Sequence, residues 1–156
     1  MASIDNADVI VDSIEQSFSR LFVLVRANLR EAAAIIDADL QPAGWSVLRY
    51  VVRHSPAQSG AIVAATGMDK TAVSRQLKEL RARGLVDAEH DAADGRVLLF
   101  TPTAEAERRV ALVLETWHER FHTLLSTWDA SDLENFSALL ERFVDDSPIP
   151  GGPRTG

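Results

Sequence analysis

A group of polar side chains recurs at helical spacing in the middle of the chain and has the chemistry to contact nucleic acid. The group consists of Thr71, Ser74, Arg75 and Lys78. Their spacing of i, i+3, i+4 and i+7 places them on one face of a helix. An arginine can read a guanine edge through two hydrogen bonds, hydroxyls can bond a base or a phosphate, and a lysine can neutralise a phosphate. Taken alone, the same pattern also fits the solvated basic face of an ordinary helix.

Charge is distributed unevenly along the chain. The net charge of −7 and the pI near 5.0 disfavour a nucleic-acid partner, because DNA-binding domains are usually basic. However, residues 70–84 carry five cations, including Lys70, against one anion. Residues before position 41 have three cations against seven anions, and those from position 97 onward have five against ten. A basic segment within an acidic chain makes DNA binding compatible with the negative net charge.

The elements that must position these residues are mainly helical. Apolar residues recur every three or four positions from Ile10 to Leu29, which predicts a long first helix that Pro42 and Gly44 interrupt. Two short runs without helical period flank the polar loop 91–95 and predict a β-hairpin. The predicted elements are, in order, helices over about residues 6–38, 45–56, 59–66 and 69–83, strands over 85–90 and 96–101, and helices over about 103–127 and from 131 onward.

The third and fourth predicted helices form a helix-turn-helix. Gly67 supplies the tight turn between them, and Val73 is placed to pack against Ile62 and Val63. Asp69 is a suitable N-cap for the fourth helix, and Gly84 suits the left-handed position that follows it. With the hairpin behind it, this unit has the order of a winged helix-turn-helix lobe.

The stretch GAIVAATGMDKTAVSRQLKELRARGLVDAEHDAADGRVLLFTPT resembles the DNA-binding core of the MarR family of bacterial transcriptional regulators. The likeness rests on the turn at Gly67, the T-x-V-S-R-x-L-x-x-L run 71–80, the R-x-R-G-L-V run 81–86 and the D-x-R wing 94–96, and it extends over about residues 10–145. The glycine that usually follows the wing in this family is absent here. The resemblance implies a recognition helix in the major groove and a wing whose Arg96 reaches the minor groove.

The resemblance also implies a homodimer whose N- and C-terminal helices interlock, most often a repressor. We therefore expect one domain over residues 1–147, with a DNA-binding lobe at about 42–101 and dimerisation helices at about 6–38 and 103–145. An intramolecular helical bundle is the alternative use of the apolar stripes on these helices. The tail 148–156 is rich in proline and glycine and is predicted to be disordered.

The chemistry of the wing supports its contact with DNA. A lone arginine at a hairpin tip suits a narrow minor groove, whose negative potential is enhanced. Asp94 would be a poor phosphate contact and is better suited to hold an arginine through a forked pair. A two-fold dimer predicts a pseudo-palindromic double-stranded operator with half-sites about 10 bp apart. The predicted DNA-binding residues are Lys70, Thr71, Ser74, Arg75, Lys78, Asp94 and Arg96.

A second site is suggested on the second helix. Regulators of this family are often released from DNA by a small ligand bound between the dimer body and the lobe. Trp45 and Arg49, one turn apart, could offer such a crevice an apolar wall and an anion-binding group for an anionic aromatic effector. The alternative is that Trp45 is a core residue and Arg49 a surface cation.

Other chemistries find less support in the sequence. His118 and His122 stand at i and i+4, a spacing that can hold a divalent metal, but no third ligand is evident, and interface or surface histidines are the better interpretation. The chain has no cysteine, and we predict no metal, no cofactor and no enzymatic activity. The N-terminus resembles no signal peptide and no run could span a bilayer, so a soluble cytoplasmic protein with no membrane partner is expected. The alternative function is a ligand- or metal-binding helical dimer whose winged helix mediates protein contacts.

Overall fold

The computed structural model describes the backbone of residues 2–146 and the side chains of residues 6–146. The predicted disordered tail, 148–156, lies outside the described residues. The fold class is confirmed, since the described chain is mainly helical with one small antiparallel sheet. The elements are α1 (Ala2–Ile36), α2 (Pro42–Arg53), β1 (Ala57–Gln58), α3 (Ser59–Thr66), α4 (Lys70–Ala82), β2 (Val86–His90), β3 (Leu98–Pro102), α5 (Ala104–Leu125) and α6 (Ala130–Asp145).

Pro42 begins a helix rather than ending one. The first helix already ends at Ile36, and Pro42 occupies the first turn of α2 behind the extended N-cap residue Gln41. Proline is accommodated there because the first N–H groups of a helix have no intrahelical partner and because its fixed φ suits the helix. Gly44, read as part of the same interruption, also lies inside α2.

The wing is a three-stranded sheet rather than a simple hairpin. The predicted pairing of β2 with β3 is confirmed, with Ala88 opposite Phe100. On the other edge of β3, the two-residue strand β1 pairs Ala57 with the same Phe100, giving the order β1-β3-β2. Both Ala57 and Phe100 are buried. The short strand therefore fastens the wing to the segment that enters α3.

The lobe formed by α2, α3, α4 and the wing is built around one core. Ile62 of α3 and Val73 of α4 are both fully buried in the same cluster, and Val63 packs at its edge, as predicted. The core continues through α2 and into the start of α5. Its largest fully buried side chains include Trp45, Leu48, Ile62, Leu80 and Leu85. This packing holds α4 with its polar face outward.

The ends of α3 and α4 follow the predicted turn chemistry. Gly67 after α3 has φ 68° and Gly84 after α4 has φ 69°, values at which a side chain would be strained. At the start of α4, the carboxylate of Asp69 accepts a hydrogen bond of 2.8 Å from the N–H of Ala72. These caps fix where the recognition helix begins and ends.

The terminal helices contrast with the lobe. None of the residues of α6 is buried within one chain. Phe136, Leu140 and Phe143 keep 44–49% of their surface exposed and line an open crevice with Ile14 and Phe18 of α1. Within the described part of the chain, none of the helices combines the length and apolar character that a bilayer crossing requires.

Candidate nucleic-acid interface

Helix α4 separates its polar and apolar residues as the spacing predicts. Val73, Leu77 and Leu80 are buried on its inner face. All five sequence-predicted contact residues of this helix are exposed on the outer side: Lys70, Thr71, Ser74, Arg75 and Lys78. These same five side chains line one shallow depression of about 510 Å³. The burial of the inner face therefore presents the polar set to solvent as one surface.

A larger groove joins this surface to the wing. It has a volume of about 650 Å³ and runs between α4, the start of α3 and strand β3. Arg96 of the wing lines it together with Lys70, Ser74 and Lys78. The fold thus brings Arg96 to the same groove as α4, although strand β2 lies between them in the sequence.

The groove is strongly positive. Four cations line it and no carboxylate does. Neither these four nor Arg75 forms an ion pair with any described residue. The backbone at the start of α3, Ser59 and Gly60, also lines the groove, and a helix N-terminus favours an anion. The arrangement suits a phosphate backbone.

Arg81 is the fourth cation of the groove. It was not among the DNA-binding residues predicted from the sequence. It is exposed and lines the groove beside Lys78 and Arg96. The signal was available, because Arg81 follows Lys78 by three residues and so continues the same helical stripe. Gln58 and Ser59 were also missed, since they reach the groove only through the pairing of β1 with β3.

The forked arginine pair expected for Asp94 is not formed among the described residues. The carboxylate of Asp94 instead accepts a hydrogen bond of 3.0 Å from the backbone N–H of Arg96. The carboxylate of Asp91 similarly accepts a hydrogen bond of 2.7 Å from the backbone N–H of Ala93. Aspartates often bond nearby backbone in turns, and here this local bond prevails over a forked pair. Asp94 therefore shapes the wing tip, while Arg96 is exposed and unpaired.

The suggested effector pair is divided between core and surface. Trp45 is fully buried, with its ring edge-to-face on Trp117 of α5 at 5.7 Å between centroids, whereas Arg49 is exposed. Neither indole N–H has a hydrogen-bond partner among the described residues. The two side chains therefore do not form the open apolar and cationic crevice that their spacing suggests.

The two histidines of α5 are exposed. Their rings lie 6.4 Å apart at the edge of a crevice of about 410 Å³ that also includes Phe121 and Trp128. Among the described residues, no group of three or more histidine, cysteine or acidic side chains could hold a metal ion. The pair His118 and His122 thus lines an exposed crevice with aromatic neighbours.

Comparisons with known proteins agree with this geometry. A model of the MarR family matches residues 38–97, which include α2, α3, α4 and the β2–β3 loop. The chain is 29% identical over 111 residues to YxaD, an uncharacterised HTH-type transcriptional regulator of Bacillus subtilis strain 168. That alignment covers 69% of this chain and 78% of the relative.

Solved structures share the fold over nearly the whole chain. The MarR family transcription regulator SP03579 superposes with a TM-score of 0.79 at 16% identity, covering 92% of this chain and 95% of that one. CouR from Rhodococcus jostii RHA1, bound to p-coumaroyl-CoA, superposes with a TM-score of 0.66 at 19% identity, covering 89% and 96%. Residues 38–97 therefore match the MarR family, the relatives that the chain resembles are named transcriptional regulators, and nearly the whole chain has the fold of solved MarR family structures.

Proposed function

We propose that this chain is a homodimeric repressor that binds a pseudo-palindromic DNA operator and is released by a small effector. The observation that carries the DNA part is the groove between α4 and the wing, which among the described residues is lined by four cations outside any ion pair and by no carboxylate. Because an acidic protein repels DNA elsewhere, such a groove is the surface on which a duplex can lie. Since its target is DNA, the protein acts in the bacterial cytoplasm.

Each residue of the interface has a role that its chemistry supports. Arg75 reads a guanine edge in the major groove, and Thr71 and Ser74 bond neighbouring bases or phosphates. Lys70, Lys78 and Arg81 neutralise phosphates along the groove, and Arg96 enters the adjacent minor groove. Asp94 contributes by fixing the backbone on which Arg96 stands.

The dimer is supported by the apolar residues that one chain leaves uncovered. Large side chains on both terminal helices are half or more exposed, among them Val9, Phe22 and Leu24 of α1 and Leu139 and Val144 of α6. Monomeric proteins rarely expose a contiguous apolar surface of this kind. A second copy covers these faces, and its two-fold symmetry sets two recognition helices about one turn of DNA apart, roughly 10 bp.

The test is selection of bound duplexes from a random DNA pool with the purified protein, repeated at two salt concentrations. We expect a pseudo-palindrome whose affinity falls steeply as salt rises, because each neutralised phosphate releases counterions. A single unpaired half-site would contradict the dimer. Tight zinc binding without enrichment of any sequence, from folded protein, would favour the alternative of a metal-binding dimer.

The effector site is proposed at the contact between α2 and α5. Trp45, whose indole N–H has no partner among the described residues, supplies an aromatic face once this contact opens, and the exposed Arg49 one turn away supplies a charge for an anionic group. An aromatic ligand reaches Trp45 only by opening its contact with Trp117, which would move the lobe against α5. The ligand bound to CouR, an aromatic acyl thioester of an anionic carrier, supports this ligand class.

Aromatic carboxylates and their coenzyme A thioesters are the compounds to screen. We expect an effector to lower operator affinity and to change the fluorescence of the Trp45–Trp117 pair together. Trp45→Phe should weaken the response to the effector, whereas Arg53→Gln, which changes an exposed arginine at the other end of α2, should not. Release of operator without any change in tryptophan fluorescence would place the effector elsewhere.

A further inference from the structure

The last residue before the turn that follows α4, Arg83, connects the recognition helix to the end of α1. Its guanidinium donates to the carboxylate of Asp37 and, at 3.4 Å, to the carbonyl oxygen of Asp39. A third hydrogen bond of 2.9 Å goes to Glu79 on α4 itself. Arg83 thus holds the C-terminal end of α4 against the connection between α1 and α2.

The same connection is held from the other side by Arg109 of α5. Its guanidinium donates to the carbonyl oxygen of Ile36, the last residue of α1, and at 2.6 Å to Glu105. The residues that follow α1 therefore lie between two arginines, one from the DNA-binding lobe and one from α5. The Asp39 backbone N–H, which donates to the Asp37 carboxylate, and the nearby guanidinium groups together hold the pKa of Asp37 below its usual range.

The burial of Arg83 points to a role in geometry rather than in overall stability. Its side chain is only 23% exposed, and its Nε is buried without a hydrogen-bond partner among the described residues. Half-buried ion pairs gain little net stability because desolvation offsets their attraction, but forked arginine pairs fix orientation well. Arg83 lines neither the groove nor the depression on α4, so it lies apart from the proposed DNA-binding surface.

From these contacts we infer that Arg83 is a positioning residue that sets the angle between the recognition helix and the dimerisation helices, and hence the half-site spacing that the dimer accepts. The inference rests on the proposed function, since spacing has meaning only for two recognition helices in one dimer. A lobe held rigidly to α1 fits one spacing. Without the connection, each lobe turns independently and tolerates several.

The experiment measures how strongly the full-length protein discriminates between operators of different spacing. The selected operator is compared with versions in which the half-sites are moved 1 or 2 bp closer or further apart. We expect the wild type to lose at least about tenfold in affinity on such a shift, within the range typical of coupling between two sites. Arg83→Gln should reduce that loss to about threefold or less.

Three further variants make the result decisive. Asp37→Asn breaks the same contact from the other side and should act like Arg83→Gln, while Arg83→Lys keeps the charge but loses the fork and should act in between. The matched control is Arg53→Gln, an exposed arginine in the last turn of α2, which should keep the discrimination of the wild type. If Arg83→Gln fails to fold, Asp37→Asn and Arg83→Lys carry the same comparison.

The outcomes separate this inference from the proposed function. Variants that melt at lower temperature but keep the spacing preference of the wild type would give Arg83 a merely structural role and overturn the inference. A wild type that binds no operator at all would overturn the proposed function, and the inference with it. A relaxed preference in the variants, with half-site sequence preference retained, supports the positioning role.

Discussion

The lobe formed by α2, α3, α4 and the wing buries its apolar residues within one chain, whereas α6 and the parts of α1 and α5 beyond the lobe expose theirs. In the lobe, Leu48, Ile62 and Leu80 are fully buried, but on the terminal helices Phe22, Leu24 and Leu124 keep 60–65% of their surface exposed. Helices α2 and α4 of the lobe have an apolar periodicity as strong as that of the terminal helices, so these sequences look alike. The difference teaches that apolar periodicity predicts a buried face without saying whether the same chain or a second copy covers it.

The largest expected effect comes from a charge on the exposed face of α6. The Phe143 ring stacks on Phe18 of α1 at 4.7 Å and lines the open crevice between these helices, so Phe143→Glu places a carboxylate where the second copy is proposed to pack. Loss of the dimer removes the gain from binding two half-sites together, and we expect operator affinity to fall about 10²–10⁴-fold. Sedimentation and DNA binding measure the two effects.

The control for this variant is Ala138→Glu, which adds the same charge on the opposite face of α6. It should leave the protein dimeric. A Phe143→Glu protein that still sediments as a dimer would contradict the assignment of this face.

A cavity in the lobe should be costly at any protein concentration. Leu80 is fully buried in α4, and Leu80→Ala is expected to lower the free energy of unfolding by about 2–5 kcal/mol. Leu24→Ala, at an exposed position of α1, should instead destabilise most when the protein is dilute, because binding of the second copy stabilises it by mass action. Thermal unfolding at several concentrations checks both, and equal concentration dependence would remove the distinction between the two regions.

On the outer face of the lobe, Arg75→Ala should cost about 1–3 kcal/mol in operator affinity and relax the preference at one base of each half-site. Lys78→Ala should instead weaken binding to all sequences alike and lower the salt slope by about one. Binding to operator variants and to random DNA, at several salt concentrations, distinguishes the two. Arg53→Ala is the control, and an Arg75→Ala protein with unchanged sequence preference would contradict direct reading by this side chain.

Removing one N-cap from each region should have a smaller effect than these changes, and the effect should differ between the two regions. Asp69 caps α4 and Asp129 caps α6, each through a hydrogen bond of 2.8 Å to the backbone. Each Asp→Ala change should cost about 1 kcal/mol. We expect Asp69→Ala to lower the stability of the lobe, and Asp129→Ala to raise the dissociation constant of the dimer, as measured by unfolding and by sedimentation. The opposite pairing of effects would contradict the proposed division.

The smallest effect concerns acid. Hydrogen bonds from Arg108 and Arg109 lower the pKa of Glu105, at the start of α5, from 4.5 to about 2. Because this folded-state pKa is depressed, the stabilisation is complete above pH 4.5 and is lost as pH falls towards 2. The group is exposed, so salt screens the effect. Glu105→Gln should flatten the fall in melting temperature over this range, and an unchanged profile would show that the ion pairs do not stabilise the fold.

Much of the fold could be predicted because local signals agree with it. Gly67, Asp69 and Gly84 mark the ends of two helices by backbone chemistry that acts over a few residues. Strand β1 could not be found in this way, because two residues carry no period and their pairing with β3 depends on contacts more than 40 residues away. Pro42 was read as an interruption, although the first turn of a helix accepts it equally well.

The candidate site was only partly accessible from the sequence. Spacing placed Thr71, Ser74 and Lys78 on one exposed face because a helix repeats regularly. Burial depends on the neighbouring elements, so the sequence alone could not identify Trp45 as a core residue. The bond from the Arg96 backbone to Asp94 depends on the conformation of the wing tip, which spacing alone does not define.

The positively charged groove also makes the charge distribution of the molecule asymmetric. Positive charge is concentrated at the face between α4 and the wing, while α1 and the segment from α5 onward carry an excess of acidic residues. The electric field of a DNA duplex exerts a torque on such a charge dipole and turns the groove towards the phosphates before contact. Productive encounters therefore become more frequent at low ionic strength. We therefore expect the acidic helices, which lie outside the proposed DNA-binding surface, to increase the rate at which the operator is found.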